Sequence, residues 1–336
     1  MIRVAVDAMG GDKAPQAEIA GVLEALATLP DDFVVQLVGR PEVIEAELAR
    51  HANVDHGRLE IHEAPDVIGM GEKPLAAVRK KPNSSVVVGL TLQKRGRSDA
   101  FLSAGNTGAT LAASTVLFGL HDGVERATVA TLFPTGGEPV LVLDGGANLD
   151  CSPKELAGFA YLGTVYMRDI LGRANPVVGL LNIGEEEGKG TTVVREAHQI
   201  LKRSPRLHYA GNIEGRDILP GPQRRIHVDV VVCDGFVGNI VLKFYESAAR
   251  MFVGLVMERA PDVFERPALQ ELRNVLDYST YGGAPLLGVR GVSIICHGAS
   301  NPTAIKNGVR VALQAVKAGL NAHIAAEFAQ REPVAP

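Results

Sequence analysis

The sequence has no tryptophan, and aromatic residues make up only 5% of its 336 positions. It has only three cysteines, Cys151, Cys233 and Cys296, and no CxxC motif pairs them. An odd number of widely spaced cysteines is a poor disulfide framework, so reduced thiols and a cytoplasmic location are the simplest expectation. Asp7 interrupts the first apolar run, and no signal peptide is expected.

The common cofactor and nucleophile motifs are also missing. No GxGxxG follows a predicted strand, and neither GxSxG, HExxH nor a Cys/His cluster at metal spacing occurs. The segment before Lys189 has three residues between its glycines where a P-loop needs four, and Gly190 replaces the Ser or Thr of that motif. These absences predict no cofactor, no metal ion and no serine nucleophile.

Neither charge sign is in large excess, and long apolar runs are scarce. Lys and Arg total 34 and Asp and Glu total 38, so the net charge is −4 and generic nucleic-acid binding is not expected. Residues 100–121 carry no formal charge, but Ser103–Gly108 at their centre would break a helix in lipid. We interpret this stretch as a strand, a loop and a buried helix, not as a membrane span.

Short apolar strands alternate with helical segments along the chain. The predicted strands are Ile2–Val6, Phe33–Val38, Ala100–Leu102, Val140–Leu143, Val177–Leu181, Leu207–Tyr209, Val228–Val232 and Val292–Ile295. This alternation predicts an α/β fold with a mostly parallel sheet flanked by helices. One unit over residues 1–326 is expected, with two lobes as the alternative, followed by a tail over 327–336 that frays.

Seven predicted strands end in a polar residue and a glycine-containing turn. The turns are Asp7–Asp12, Ser103–Gly108, Asp144–Asn148, Asn182–Gly190, Asn212–Asp217, Asp234–Asn239 and His297–Asn301. Carboxyl ends of parallel strands share one edge, and helix N-termini behind them favour anions, so the pattern predicts a compact, phosphate-bearing ligand. For any single loop, plain turn chemistry is the commoner explanation. The candidate phosphate- or substrate-binding residues are Gly10, Gly11, Asn106, Thr107, Asn148, Asn182, Asn212, Asp234, Ser300, Asn301 and Lys306.

Three side chains allow both a functional and a structural interpretation. Lys189 lies between two glycines at a predicted helix start, and it is equally compatible with a bound anion and with pairing to the preceding glutamates. For His297, which follows a predicted strand, a buried structural histidine is the favoured interpretation. Cys233 and Cys296 also end strands, and packing in the core is favoured over a nucleophilic role.

In this order, the loops resemble those of the bacterial phosphate acyltransferase family of phospholipid synthesis. The matching stretches are VAVDAMGGDKAP, SAGNTGAT, DGGANLDC, NIGEEEGKG, GNIEGRDI, VVCDGFVGN, DYSTYGGAPLLG and HGASNPTAIKNG, which run from Val4 to Gly308. Relatives often have two serines and no proline in the last of these loops. Here Ala299 offers no hydroxyl, and Ser300 is the only local substitute.

The resemblance implies a homodimer with a fold similar to isopropylmalate dehydrogenase and phosphotransacetylase. It implies transfer of a fatty acyl group from an acidic acyl carrier protein to orthophosphate, giving an acyl phosphate for a membrane-bound glycerol-3-phosphate acyltransferase. Because phosphate itself is the nucleophile, direct transfer without an acyl-enzyme is expected. The expected catalytic residues are Lys189 and Asn239 as oxyanion donors, Asp7 as a proton acceptor or positioning group, and His297.

Two other enzyme functions remain open at this stage, and a non-enzymatic regulatory binder is the least favoured alternative. A hydroxy-acid or pyridoxal-precursor dehydrogenase of the same broad fold would need a nicotinamide site and metal-binding aspartates. An enzyme like phosphotransacetylase would use coenzyme A and a short acyl group. A non-enzymatic binder of acyl carrier protein would not need so many polar loops. Acyl-chain preference and the group that protonates the leaving thiolate do not follow from the sequence.

Two kinds of surface are expected to meet partners. The acidic carrier protein requires a local basic patch, and the candidates are Arg79–Lys81, Lys94–Arg97 and Arg224–Arg225. A helical hairpin is predicted over residues 240–277, and the stripe Val241, Phe244, Ala248, Met251 and Leu255 is expected to face the protein. Its remaining apolar residues favour a dimer interface first, and peripheral contact with a membrane surface second.

Overall fold

The computed structural model describes residues 1–30, 32–52, 54–135, 137–219, 227–260, 266 and 282–331. The chain divides into two compact units. The first contains the described residues of 1–121 and 282–323, and the second contains those of 122–260, 266 and 324–331.

Strands and helices alternate along the described chain. The strands are β1 Ile2–Asp7, β2 Phe33–Gly39, β3 Leu59–Glu63, β4 Ala100–Ser103, β5 Thr128–Val129, β6 Thr131–Phe133, β7 Val140–Leu143, β8 Val177–Leu181, β9 His208–Ile213, β10 Val230–Val232, β11 Ala284–Leu287 and β12 Ser293–Ile295. The helices are α1 Gln16–Thr28, α2 Pro41–Leu48, α3 Pro74–Lys80, α4 Ser85–Lys94, α5 Thr107–Phe118, α6 Pro153–Leu171, α7 Thr192–Lys202, α8 Gly235–Arg259, α9 Pro302–Lys317 and α10 Leu320–Ala329. Short 3₁₀ turns occur at His56–Arg58 and Gly215–Asp217.

The sheet of the first unit has the strand order β3-β2-β1-β4-β12-β11. All neighbours in it are parallel except β11, which pairs antiparallel with β12. Val4 lies opposite Ala100, and Ile295 lies opposite Ser103. The carboxyl ends of β1, β4 and β12 are therefore neighbours at one edge, where ligands bind in open α/β sheets.

Both faces of this sheet are buried, which explains why its strands are apolar at successive positions. On one face, Val4 packs in a core with Ile19 of α1 and Val309 of α9. On the other face, Ala5 packs in a core with Leu90 of α4. These helices cover both faces of the sheet, and the loops after the strands lie at its carboxyl edge.

The sheet of the second unit has the order β6-β7-β10-β8-β9. Strand β6 is antiparallel to β7, and the other neighbours are parallel. The loops after β7, β10, β8 and β9 therefore leave the same edge side by side. Each unit thus has a mostly parallel sheet with flanking helices, and the predicted α/β fold class is confirmed.

The predicted contact face of α8 is wrong for three of its five residues. Phe244, Met251 and Leu255 were expected to face the protein, but they are 74%, 63% and 47% exposed. The face that packs on the sheet includes Val241, as expected, together with Tyr245, which was not part of the predicted stripe. The ring of Tyr245 lies 5.5 Å from that of Phe133, and its hydroxyl donates to the Pro134 carbonyl at 3.3 Å, which together fix the rotation of the helix.

Two boundaries also differ from the sequence analysis. Helix α8 begins at Gly235, before the expected residue 240, because Asp234 caps it. Of the second arm of the predicted hairpin, 266–276, only Arg266 belongs to the described residues. Glu327, where the frayed tail was expected to begin, belongs to α10 and pairs with Arg206 of the same unit at 2.9 Å.

Among the described helices, none is both long and apolar enough to cross a membrane.

Candidate active site

In the first unit, buried side chains tie the loops after β1 and β4 together. Asp7 ends β1 and is 1% exposed. Its Oδ2 accepts a hydrogen bond of 2.7 Å from the Ser103 hydroxyl, and Ser103 in turn accepts from the Gly105 N–H at 3.0 Å. The third loop joins through the Asp12 N–H, which donates to the Gly298 carbonyl at 2.8 Å. The structure thus brings Asp7 and the His297–Asn301 loop to the same edge.

The two glycines after Asp7 are required by close packing. A Cβ on Gly10 would lie 2.9 Å from the Gly105 Cα, so the two loop backbones touch where any side chain would separate them. Gly11 has φ +133°, and a Cβ there would lie 2.5 Å from Glu18 Oε1. This turn needs glycine at both positions, and its backbone can approach a ligand closely.

Two asparagines cap helices at the same edge. Asn106 Oδ1 accepts from the Ala109 N–H at 3.0 Å at the start of α5, and Asn301 Oδ1 accepts from the Ala304 N–H at 2.8 Å at the start of α9. The exposed Thr107 is the first residue of α5. Two helix N-termini therefore point their positive ends to this edge.

The remaining candidates of the first unit have different surroundings. Ser300 is 2% exposed. Lys306 points to α1, where its Nζ pairs with Glu24 Oε2 at 3.4 Å. His297 is exposed, so the expectation of a buried structural histidine is wrong. Its Nδ1 accepts from the Ala299 N–H at 3.1 Å, which leaves Nε2 as the protonated nitrogen of the neutral ring.

A second buried carboxyl, Glu18, lies beneath the same turn and was not singled out from the sequence. It is 1% exposed, and its Oε2 has no hydrogen-bond partner among the described residues. Burial raises its pKa to about 8, and nearby Asp7 and Asp12 act in the same direction. Burial also raises the pKa of Asp7, although the Ser103 hydroxyl opposes the shift. A protonated Glu18 adds no negative charge beneath a loop that is a candidate to bind an anion.

Glu18→Gln is expected to remove a pH dependence of stability. Because the folded protein holds the Glu18 proton to higher pH than the unfolded chain, stability is highest below the ordinary pKa of 4.5 and falls as pH rises to about 8. Between about pH 6 and about pH 7.5 the wild type should lose about 2 kcal/mol of unfolding free energy that the glutamine variant retains. Urea unfolding at several pH values measures this, with the exposed Glu45→Gln as control. Parallel pH profiles for wild type and Glu18→Gln would contradict it.

In the second unit, a buried carboxylate organises the loop after β7. Asp144 is fully buried and accepts hydrogen bonds from the backbone N–H groups of Val129, Ala147 and Asn148, at 3.0, 3.1 and 2.6 Å. The Asn148 side-chain amide donates to Asp144 at 2.8 Å and to the Ala127 carbonyl at 2.8 Å. The donors of the Asn148 amide are therefore engaged in bracing the loop.

The N-terminus of α8 lies beside this loop. Asp234 caps the helix by accepting from the Val237 N–H at 2.8 Å. Asn239, in the second turn, is exposed and packs against Gly146, where an added Cβ would lie 3.2 Å from the Asn239 Cβ. The structure thus brings Asn239 to the Asp144–Asn148 loop, with the positive end of a helix next to it.

Side chains from neighbouring elements hold the Lys189 loop at several points. Asn182 Nδ2 donates to the Lys189 carbonyl at 3.2 Å, and Asn212 Nδ2 donates to the Glu186 carbonyl at 3.2 Å. From α7, Arg195 donates to the Gly190 carbonyl at 2.7 Å. Asn182 and Asn212, both candidate ligands, therefore brace this loop.

The Lys189 side chain is exposed and forms no ion pair within the described residues. Glu187 pairs instead with Lys202 at 2.6 Å, and Glu185 pairs with Arg216 at 3.6 Å. The interpretation of Lys189 as a lysine paired with these neighbours is therefore not supported, and its ammonium is available to an anion.

The cysteines are protonated thiols at neutral pH. Cys233 and Cys296 are 4% and 2% exposed, and the expected core packing is confirmed. Burial raises the pKa of Cys151 and of Cys296 to about 12, and that of Cys233 well above its ordinary value. In the part of the chain that the structure describes, no three His, Cys, Asp or Glu side chains are grouped so that they could hold a metal ion.

Comparison with known proteins places the chain in a family. A family profile described as "Fatty acid synthesis protein" matches residues 2–323. A phosphate acyltransferase of Heliobacterium modesticaldum is 46% identical over 324 residues, covering 94% of both chains. Another, of Desulforamulus reducens, is 44% identical over 327 residues, covering 95% of both chains. The chain belongs to the phosphate acyltransferase family. It is an acyltransferase of fatty acid and lipid synthesis, as the loop motifs indicated.

Solved structures with the same fold are more distant in sequence from this phosphate acyltransferase. A phosphotransacetylase from Streptococcus pyogenes has a TM-score of 0.63 at 18% identity, covering 94% of both chains. The EutD phosphotransacetylase from Staphylococcus aureus has a TM-score of 0.59 at 16% identity, covering 94% of both chains. A 4-hydroxythreonine-4-phosphate dehydrogenase from Klebsiella pneumoniae has a TM-score of 0.54 at 13% identity, covering 94% of this chain and all of that one. These likenesses show the fold alone and confirm the expected similarity to phosphotransacetylase.

Proposed function

We propose that this phosphate acyltransferase transfers a fatty acyl group from acyl carrier protein to orthophosphate and releases an acyl phosphate. The observation that carries the proposal is the Lys189 loop of the second unit. Its exposed lysine has no ion-pair partner within the described residues, and its backbone is held by Asn182, Asn212 and Arg195. A lysine on a loop that is held at the carboxyl edge of a parallel sheet suits a phosphate-bearing substrate.

In the proposed reaction, a phosphate oxygen attacks the thioester carbonyl carbon. A carbon–oxygen bond forms, the carbon–sulfur bond breaks, and the carrier leaves as a thiolate that takes up a proton. Lys189 and Asn239 are proposed to donate hydrogen bonds to the oxyanion of the tetrahedral intermediate. The N-terminus of α8, which begins after its cap residue Asp234, adds the positive end of a helix dipole, which favours the negative charge of the oxyanion.

The other proposed substrate-binding residues belong to the first unit, at the edge of its own sheet. The proposed residues are Gly10 and Gly11, whose turn lets a ligand approach the backbone closely, Thr107 at the start of α5, and Ser300 and Asn301 before α9. We propose that the exposed His297 contacts substrate and that buried Asp7 acts by holding the Ser103 hydroxyl and the loop in place. The engaged side chains of Asn106, Asn148 and Lys306 contribute by bracing.

The exposed apolar surface of α8 is proposed to contact a partner. Beyond its sheet contact, α8 exposes Phe244, Met251, Phe252, Leu255 and Met257. We propose that a second copy of the chain covers this surface in a homodimer, because an apolar surface of this kind favours association. Contact with a membrane surface is the second candidate, since it would deliver a poorly soluble acyl phosphate to a membrane-bound acyltransferase.

The donor is tested by offering the purified protein alternative acyl thioesters with phosphate. Hydroxylamine traps acyl phosphate as a hydroxamate, which is measured by mass spectrometry. The proposal predicts product from long-chain acyl carrier protein, little from acetyl coenzyme A, and no reduction of nicotinamide cofactors. Efficient turnover of acetyl coenzyme A with none of acyl carrier protein would instead assign a phosphotransacetylase activity.

Replacing Cys151, Cys233 and Cys296 together by alanine is expected to leave substantial activity. Their raised pKa values keep the thiols protonated, and the thiolate is the nucleophilic form. The variant's kcat with acyl carrier protein and phosphate, measured alongside its urea midpoint, separates a catalytic from a packing effect. A correctly folded variant with no activity, or a trapped acyl thioester on any of the three in the wild type, would contradict direct transfer.

A further inference from the structure

The first unit carries a basic surface with an apolar centre, which we call the α3 surface: Met70, Lys73, Leu75, Arg79 and Lys80. All five residues are exposed, with Met70 at 50% and Leu75 at 45%. The opposite side of α3 packs inward through Ala77, which is 3% exposed. Helix α3 is therefore packed against the rest of its unit on one side, and it exposes the α3 surface on the other side in the described structure.

This surface is attached to the candidate active-site edge of the same unit. The Asn106 amide, at the start of α5, donates to the carbonyls of Gly69, Met70 and Glu72 at 3.2, 3.0 and 3.2 Å. The Met70 methyl lies over the loop after β12, where a Cβ on Gly298 would be 2.8 Å from it. A partner on the α3 surface would thus sit directly beside the loops of β4 and β12.

The α3 surface carries three cations that Glu72 does not neutralise. Glu72 pairs with Lys81 at 2.5 Å, which lowers the pKa of Glu72 and neutralises both charges. Lys73, Arg79 and Lys80 then have no ion pair within the described residues. On a chain with a net charge of −4, such a local cluster is a specific attraction for a negatively charged partner.

We infer that the α3 surface docks an acidic protein partner, which under the proposed function is the acyl carrier protein; the inference rests on that function. Cations around exposed Met70 and Leu75 combine electrostatic steering with apolar contact, as protein interfaces do. The neighbouring loops then receive the acyl thioester that the partner carries. This assigns one of the candidate basic segments, Arg79–Lys81, and extends it to Lys73 and the two apolar residues.

The competing segment Lys94–Arg97 lies at the other end of the sheet. It precedes β4, whose carboxyl end at Ser103 forms the candidate site, so a carrier docked there would meet the amino-terminal edge. Arg224 and Arg225 lie outside the described residues. Lys94–Arg97 therefore provides a matched control with the same kind of charge in the wrong place.

The test compares two triple charge reversals, Lys73→Glu with Arg79→Glu and Lys80→Glu, and Lys94→Glu with Arg95→Glu and Arg97→Glu. Steady-state kinetics are measured against acyl carrier protein, against phosphate, and with an acyl-pantetheine thioester that lacks the carrier protein. The α3 reversal should raise the KM for acyl carrier protein about tenfold or more, since charge steering changes association rates by 10- to 1,000-fold. Its KM for phosphate and its activity with acyl-pantetheine should stay unchanged. High salt should reduce the difference from wild type.

Several results would overturn the inference. Equal increases in carrier KM for both triple variants would show a general charge effect, and no increase for the α3 variant would remove the surface from carrier binding. A change in oligomeric state confined to the α3 variant would assign the surface to a second copy of the chain. Failure of the wild type to use acyl carrier protein would be a failure of the proposed function itself, and wild-type activity in the same assay distinguishes the two cases.

Discussion

Lys189→Ala should lower kcat about 100-fold or more while the protein stays folded, as the loss of one oxyanion-hole donor does. The lysine is exposed, and its loop is fixed by contacts to backbone carbonyls that the substitution does not touch. The loss should therefore be one of transition-state stabilisation, with a smaller change in the KM for the acyl donor. Asn239→Ala should act in the same direction but less severely, because a neutral amide is a weaker donor than an ammonium.

The matched control for this effect is Lys317→Ala. Lys317 ends α9 and pairs with Asp32 at 2.6 Å, at the helix end remote from the candidate site of its own unit. Lys317→Ala removes the same charge as Lys189→Ala, and it is expected to leave kcat unchanged. Wild-type kinetics in folded Lys189→Ala would refute the proposed role and leave this lysine as a solvated side chain.

Asp144→Asn should destabilise the protein by about 3 kcal/mol or more, because it removes a buried charge that several backbone N–H groups are arranged to bind. Four backbone N–H groups, of Val129, Gly146, Ala147 and Asn148, and the Asn148 side-chain amide donate to this carboxylate. An asparagine at residue 144 would point its own side-chain N–H groups at some of these donors. The midpoint of urea unfolding measures the loss, and the slope of the transition checks that the unfolding reaction is the same.

The control for this substitution is Asp150→Asn in the same connecting segment. Asp150 is exposed, and a surface substitution of this kind changes stability by about 0.5 kcal/mol or less. An unchanged urea midpoint for Asp144→Asn would contradict the view that this carboxylate organises the loop.

The parts of the fold that could be predicted from the sequence are those with a strong local signal. Runs such as Val140–Leu143 are apolar at every position because both faces of a parallel strand are buried, and the glycine and asparagine turns after them mark the functional edge. The family resemblance depends on these turns, and the relatives named phosphate acyltransferase confirm it. The order of the loops along the chain was therefore enough to indicate the activity.

Features decided by three-dimensional packing could not be predicted in the same way. Helix α8 has apolar residues on several sides, so its sequence does not specify that Val241 and Tyr245, and not Phe244, meet the sheet. The sequence does not distinguish an asparagine that binds a ligand from one that, like Asn212, donates a hydrogen bond to a backbone carbonyl. For Glu18, the available signal was an acidic residue inside an otherwise apolar helix stripe.

Direct transfer is tested most directly by a quenched single turnover with ¹⁸O-labelled phosphate and long-chain acyl carrier protein, followed by mass spectrometry of product and protein. The mechanism proposed for Lys189 and Asn239 predicts acyl phosphate that carries the label, one equivalent of free carrier, and the enzyme at its unmodified mass at every time point. An enzyme species heavier by one acyl group that forms and decays before product appears would contradict it, as would free fatty acid in place of labelled acyl phosphate.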